Sequence, residues 1–207
     1  MKKKKDKKKK KLKLNLGCGS KILDGFVNVD KYGSPEKKVD LEVFPWPWKK
    51  NSVDEIILSH VLEHLGKDSD TFLNIMQELY RISSKNTIIH INVPHPRSDA
   101  YLGDPTHVRP ITLNILNLFS KEKNNQSVKN GWANTTLALF LDVDFEVVYN
   151  KIKLMPYWQN KFENNLISKD ELDFALIHYY NVVEEMEFKL FSLLFPLFYY
   201  TFYIKNR

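Results

Sequence analysis

Leu14-Asn15-Leu16-Gly17-Cys18-Gly19-Ser20 is a short apolar run that stops at a Gly-x-Gly. A strand ending this way lets the backbone approach a ligand closely, because neither glycine carries a Cβ, and it leaves N–H groups facing a crevice. The third glycine of the dinucleotide fingerprint is missing; Ser20-Lys21-Ile22 follows instead, so a pyrophosphate cradle is poorly supported and a ligand without phosphates is accommodated. Phe26-Val27-Asn28-Val29-Asp30 is a second apolar run, ending in an acid eleven residues after Gly19. A carboxylate at the carboxyl end of a second parallel strand can accept hydrogen bonds from both hydroxyls of a ribose, although an aspartate before Lys31-Tyr32-Gly33 also reads as a turn residue.

Outward from this core the chain has room for one domain: 207 residues, 43% apolar and 13% aromatic. The net charge of +6 misleads, because residues 1–13 hold ten lysines and one aspartate, leaving a mildly acidic body at −3. The stretch Met1 to Lys11 is low-complexity and self-repelling, and is expected to be a disordered tail without a secretory apolar region. Weak contact with nucleic acid or an anionic membrane through that tail is a partner expectation, beside the plainer one of a solvated appendage. Cys18 has no internal partner for a disulfide, which fits a reducing cytosol, and no histidine adjacent in sequence marks it as a nucleophile.

Only six residues separate Gly19 from Phe26, fewer than a helical crossover needs, so the first helix is expected to be short or absent, a turn or a single helical coil. Phe44-Pro45-Trp46-Pro47-Trp48 reads as an aromatic loop that either covers a ligand ring or closes a core edge. Val53 to Ser59 reads as a strand, followed by a helical turn His60 to Leu65 ended by Gly66. His60, Glu63 and His64 resemble half of a metal site with both histidines on one side, but the His-Glu-x-x-His order is absent, so no metal is expected. Asp68 or Ser69 caps a helix whose apolar positions are Phe72, Ile75, Met76, Leu79 and Ile82. Thr87 to Val93 is a buried strand opening onto a loop that runs to Pro110 and is dense in polar chemistry: His95, Arg97, Asp99, Tyr101, Asp104, His107 and Arg109. Further on, Ile111 to Phe119 and Trp132 to Leu141 are helix candidates flanking a polar loop, Asn124 to Gly131. Phe145 to Leu154 and Met186 to Leu190 are strands that pair antiparallel, with a helix from Asp170 to Tyr180 between them. The apolar stretch Leu190 to Ile204 is too short, with Pro196 at its middle, to span a bilayer as a helix; peripheral membrane contact, a partner patch and a sheet extension stay open.

Taken together, Leu14 to Gly19, Val27-Asn28-Val29-Asp30, Val39-Asp40-Leu41 and Ser52 to Leu65 resemble the class I S-adenosylmethionine-dependent methyltransferases, in particular the small type 11 group. The likeness covers Leu12 to Val93, and Leu102 to Pro110 looks like a segment of some bacterial and phage members. It implies an α/β fold: a Rossmann-like methyltransferase sheet, mostly parallel with an antiparallel last strand and helices on both faces. The domains would be residues 1–11 as tail, 12–190 as methyltransferase domain and 191–207 as a hydrophobic extension. It also implies S-adenosyl-L-methionine as cofactor, with Leu16, Gly17, Cys18 and Gly19 against its methionine and ribose parts and Asp30 on the ribose hydroxyls. Asp40 and Leu41 would meet the adenine, and Ser59 and His60 would line the sulfonium side. Asn15 stands where many members carry an acid.

Methyl transfer mainly requires alignment of a nucleophile and removal of its proton, for which His107 beside Asp104 is the first candidate and His95 the second. A tie of the loop to the sheet is the plainer role for His107 and Arg109. His95, Asp99, Asp104 and His107 as ligands of a divalent ion are a minority reading. The expected acceptor is a small molecule, glycan or lipid, and the expected location is the cytoplasm, with peripheral membrane contact through 190–204. A non-catalytic scaffold of the same fold is the alternative, and a nicotinamide-dependent oxidoreductase is disfavoured by the incomplete glycine fingerprint.

Overall fold

The runs around Leu14 and Val27 are parallel neighbours in the computed structural model, which describes residues 11–194. Seven strands form one sheet: β1 (Lys13–Leu16), β2 (Val27–Asp30), β3 (Lys37–Lys38), β4 (Val53–Ser59), β5 (Ser83–Pro94), β6 (Phe145–Leu154) and β7 (Val183–Ser192). Their order is β3-β2-β1-β4-β5-β7-β6, the first five parallel and β7 antiparallel to both β5 and β6. Strand order reverses between β1 and β4, so the crevice beyond their carboxyl ends is the topological switch point where α/β sheets bind ligands. Leu14, Leu16, Ile56, Leu58, Ile89 and Ile91 are fully buried, as expected for central strands covered on both faces.

No helix joins β1 to β2. Two amides do that work: the Asn15 Nδ2 group donates to the Lys21 carbonyl and to Asn28 Oδ1, both at 2.8 Å, and Asn28 Oδ1 accepts the Leu23 N–H at 2.9 Å. Asn28 Nδ2 returns bonds to the Leu23 and Phe26 carbonyls at 3.1 and 3.3 Å. Asn15 is 3% exposed and acts as a donor, which a carboxylate could not do, so the departure from an acid at this position has a structural cause.

The helix α1 (Ser69–Ile82) starts where Asp68 accepts the Thr71 N–H at 2.8 Å, and buries Phe72, Ile75, Met76, Leu79 and Ile82. Its one buried acid, Glu78, binds the aromatic loop: Glu78 Oε2 accepts the Trp46 N–H at 2.6 Å and the Arg81 Nη2 donor at 2.6 Å, while Arg81 also donates to the Trp46 and Trp48 carbonyls. Trp46 and Trp48 are therefore core residues, 2% and 8% exposed, and the loop closes the core edge rather than covering a ligand.

The remaining elements are α2 (Asp99–Leu102), α3 (Leu113–Asn117), α4 (Lys121–Lys129), α5 (Leu137–Leu141), α6 (Pro156–Glu163) and α7 (Lys169–His178). The expected polar loop Asn124 to Gly131 is instead mostly the helix α4. Ser120 caps it by accepting the Lys123 N–H, and the fully buried Asn124 donates to the Leu118 carbonyl and accepts the Ala138 N–H. A helix held by buried amides shows no apolar period, which is why its composition reads as a loop. Conversely, the expected helix Trp132 to Leu141 is helical only at α5, and Ile111 to Phe119 only at α3, where Thr112 accepts the Ile115 N–H. Phe191 and Ser192, placed by sequence at the start of the hydrophobic extension, belong to β7 and pair with β5 and β6. The expectations for Met1 to Lys10 and for 195–207 lie outside the described residues. Among those described, no helix is long and apolar enough to cross a membrane.

Burial by itself would raise the Glu78 pKa; the Arg81 guanidinium and the Trp46 N–H outweigh it and hold the carboxyl below its usual range. A depressed carboxyl pKa stabilises the fold fully above the ordinary glutamate value of about 4.3, and that contribution is lost as pH falls through the lower folded value. Glu78→Gln is expected to destabilise the protein by roughly 2 kcal/mol at pH 7, since Arg81 loses a partly buried partner, and to flatten the acid limb of stability. Urea unfolding midpoints of both proteins between pH 7 and 3 measure this.

Candidate functional site

Gly17 and Gly19 both adopt left-handed backbone, φ +65° and +50°. For Gly17 the requirement is double, because a Cβ there would lie 2.5 and 2.7 Å from the two γ carbons of Val61, just after the end of β4. The turn after β1 thus packs directly on the turn after β4. Around Gly19 the position of a Cβ has nothing within 4 Å, so that side of the turn faces open space. Asp30, at the end of β2, anchors the turn: its Oδ2 accepts the Gly19 N–H at 2.9 Å and its Oδ1 the Tyr32 N–H at 2.8 Å. The turn role read from sequence is therefore real. An ionised carboxylate has about four acceptor sites, so two remain for hydroxyl donors.

Leu16 is fully buried in β1 and fixes the root of the turn. Cys18 is 5% exposed, its N–H donates to the Val29 carbonyl, and burial followed by the Asp30 carboxylate raises its pKa, so it stays a thiol. Asp40 is set beside Asp30 through β3 and the following Val39, whose N–H donates to the Asp30 carbonyl at 3.1 Å. Its Oδ1 accepts the Glu42 N–H at 3.0 Å and its Oδ2 lies 3.6 Å from Lys31 Nζ. Leu41 is a core residue, 5% exposed, whose carbonyl accepts the Trp46 indole N–H. Ser59 closes β4 opposite Asn92.

His60 follows in left-handed backbone, φ +55°, its N–H donating to the Asn92 carbonyl. Its side chain stands between two carboxylates, Nδ1 3.6 Å from Glu63 Oε1 and Nε2 3.4 Å from Glu185 Oε1. Contact with Glu63, more than offsetting burial, raises the His60 pKa, with a smaller contribution from Glu185. The expected helical turn is a short 3-10 segment, Leu62–His64, and it does not put His60 and His64 on one side: His64 Nδ1 instead meets Thr106 Oγ1 at 2.9 Å.

The three proton-transfer candidates separate. His107 and Asp104 are neighbours, Nε2 to Oδ2 at 3.9 Å, whereas His95 turns toward the start of β7. His95 donates its backbone N–H to the Glu184 carbonyl, its Nδ1 accepts the Arg97 N–H at 3.2 Å, and burial followed by Arg97 lowers its pKa, so the ring is neutral with its proton on Nε2. Asp99 pairs with Asn181, so the four-residue ion cluster of His95, Asp99, Asp104 and His107, a minority reading of the sequence, is not assembled. The His107 side chain is only 7% exposed, Nδ1 donates to the Tyr101 carbonyl at 2.7 Å, and the ring stacks on Tyr101 and lies 4.5 Å from the His64 ring. Asp104 Oδ1 accepts both the N–H and the hydroxyl of Thr106, bonds that hold its pKa below the usual range.

Sequence reasoning passed over Thr106 and Glu185, set Glu63 and His64 aside because the metalloprotease order is absent, and gave Tyr101 no role of its own. The signal for Thr106 was present, since Asp-Pro-Thr is an Asx-turn pattern that brings a hydroxyl back onto its own aspartate. Gly66 joins the two sides of the site: its N–H donates to Glu42 Oε1 at 2.8 Å, and its carbonyl accepts an Arg109 Nη2 donor at 3.0 Å. Beyond Glu185 an open depression of about 500 Å³ lies over the paired strands β6 and β7 and the start of α6, with Ile152, Leu154 and Pro156 as apolar wall and Lys153, Gln159 and Glu184 as polar lining.

The two glycines separate backbone strain from crowding. Gly19→Ala is expected to cost about 1 kcal/mol for left-handed backbone alone, whereas Gly17→Ala adds the overlap with Val61 and costs roughly 2–4 kcal/mol. Thermal melts of the two variants check the order; equal loss would mean that Val61 yields freely.

A methyltransferase dependent on S-adenosylmethionine from Archaeoglobus fulgidus superposes with a TM-score of 0.54 at 17% identity, over 88% of this chain and 86% of that one. Another from Methanosarcina mazei gives a TM-score of 0.48 at 12% identity, over 89% and 93%. No protein-family model matches the chain, and no curated protein sequence matches it. The strand order, the antiparallel β7 and the superposition on the Archaeoglobus structure agree: this chain has the fold of the class I S-adenosylmethionine-dependent methyltransferases.

Proposed function

We propose that the protein is an S-adenosylmethionine-dependent methyltransferase acting on a polar small molecule or glycan. The observation that carries the reading is the Gly17-Cys18-Gly19 turn at the switch point, tethered by its Gly19 N–H to a carboxylate that keeps two acceptor sites free. That arrangement suits a ligand with a vicinal diol and no phosphate. S-adenosylmethionine, when bound, supplies a methyl group already activated on its sulfonium.

The residues present fit that cofactor. Asp30 accepts the ribose hydroxyls, Gly19 leaves space for close approach, and Asp40 offers a partly exposed carboxylate to the adenine amine. Ser59 and His60, across the switch point from the glycine turn, face the reacting side. Glu185 connects His60 to the depression over β6 and β7, whose mixture of apolar wall, lysines and glutamates suits an acceptor bearing hydroxyl or amino groups better than a lipid chain. The chain's contribution is then to hold the two reactants in line and keep the acceptor hydrogen-bonded.

Calorimetric titration of the full chain with S-adenosylmethionine, its demethylated product and NAD tests the reading. Micromolar binding of the first two and none of NAD is expected, weakened at least tenfold by Asp30→Ala, which removes one charged hydrogen-bond acceptor set. Asp30→Asn, which keeps an acceptor for the Gly19 N–H, separates loss of the ribose contact from loss of the turn. Absence of binding by the folded wild type would end the assignment and leave the scaffold reading.

A further inference from the structure

Glu63 is fully buried, and neither of its carboxylate oxygens makes a hydrogen bond. Its one ion contact among the described residues is His60 Nδ1 at 3.6 Å, beyond hydrogen-bond length. A buried carboxylate without hydrogen bonds is unfavourable unless something with positive charge completes it. Two histidines converge on the same spot: one donor atom each from Glu63, His64 and His107 lie within 4.8 Å of one another.

The hydrogen bonds around these rings settle which nitrogens are available. A carbonyl oxygen only accepts, so His107 Nδ1 carries a proton toward Tyr101, leaving the lone pair on Nε2 of the neutral ring. Thr106 has a single hydroxyl proton and gives it to Asp104 Oδ1 at 2.7 Å; its oxygen therefore accepts from His64 Nδ1, which leaves the His64 lone pair on Nε2 as well. Histidines that ligate metals are oriented in this way, one ring N–H donated to a carbonyl or to a group backed by a carboxylate. The Tyr101 ring stacked on His107 fixes the plane of that ring.

We infer that Glu63, His64 and His107 form a binding site for a divalent transition-metal ion of the zinc, cobalt or iron(II) class. Two imidazoles and one carboxylate favour these ions over magnesium or calcium, which prefer oxygen alone. In a tetrahedral zinc site, with bonds of about 2.0–2.1 Å, donors sit about 3.3 Å apart, so the cluster has to contract by no more than about 1.5 Å. Three protein ligands leave a position open for water or another ligand. An ion there would lower the pKa of an acceptor hydroxyl, a role that rests on the methyltransferase reading; binding of the ion does not.

The test is titration of chelator-treated full-length protein with Zn²⁺ by calorimetry and with Co²⁺ by visible absorption, in the absence of any cofactor. One equivalent is expected to bind, with the d–d bands of a four- or five-coordinate cobalt centre. Glu63→Gln and His107→Gln abolish it, while His178→Gln, remote from the cluster, leaves it unchanged. Thr106→Val, which removes only the orienting hydroxyl, weakens affinity about 10- to 100-fold and keeps the bands. Circular dichroism verifies folding, and should either ligand variant not fold, Thr106→Val against His178→Gln decides. A folded wild type that binds neither ion, or Glu63→Gln or Thr106→Val binding as wild type does, overturns the site. Because S-adenosylmethionine binding is measured separately on metal-free protein, failure of either reading leaves the other standing.

Discussion

Contact between the Gly17 backbone and the Val61 side chain holds the site together. Two adjacent parallel strands, β1 and β4, end at the switch point, and their exit turns meet there with no room for a Cβ between them. Everything that defines the crevice follows from that closeness. Asp30 is positioned through the Gly19 N–H, and the strained left-handed His60 immediately precedes Val61, so both walls are referenced to one packing contact. Local strain at a functional edge persists when the surroundings over-determine it, and here Asn92 does so by accepting the His60 N–H.

The missing helix between β1 and β2 is a second constraint. Elsewhere in such sheets a helix covers the strand face; here the short connection folds back on itself and is fastened by the Asn15 and Asn28 amides. Both are buried, 3% and 4% exposed, and each uses donor and acceptor together or donates twice, so the polar cost of their burial is met locally.

Much of this was legible in the sequence because it is written in short-range chemistry. Apolar runs closed by Gly-x-Gly or by an acid mark strands and their carboxyl ends, and the periodicity of Phe72, Ile75, Met76, Leu79 and Ile82 marks a helix over a sheet. The crossover length pointed to a short or absent helix, and no helix lies between β1 and β2. What escaped was held by contacts between distant residues. The helix α4 is stabilised by Asn124 reaching Leu118 and Ala138, which no hydrophobic period reports. His107 and His64 are more than forty positions apart, and the backbone bonds from Val108 and Arg109 to the Glu63 carbonyl, with the His64–Thr106 and Arg109–Gly66 bonds, bring their loops together. The division of the 94–110 loop, with His95 and Asp99 bonded to 181–184 and Val108 and Arg109 to the 3-10 turn, depends on β7 lying beside β5, a tertiary fact.

The peptide unit around Gly66 has a consequence of its own. Its two polar ends are committed in different directions, the N–H to Glu42, two residues after Asp40, and the carbonyl to Arg109, two residues after His107. A glycine with φ +68° sits there because a Cβ would strike Phe72 at 2.5 Å, so the unit is wedged against α1 and cannot swing. The Asp40 side and the histidine side of the crevice are thereby spliced through one joint: neither lip can open by itself without breaking a hydrogen bond of that joint.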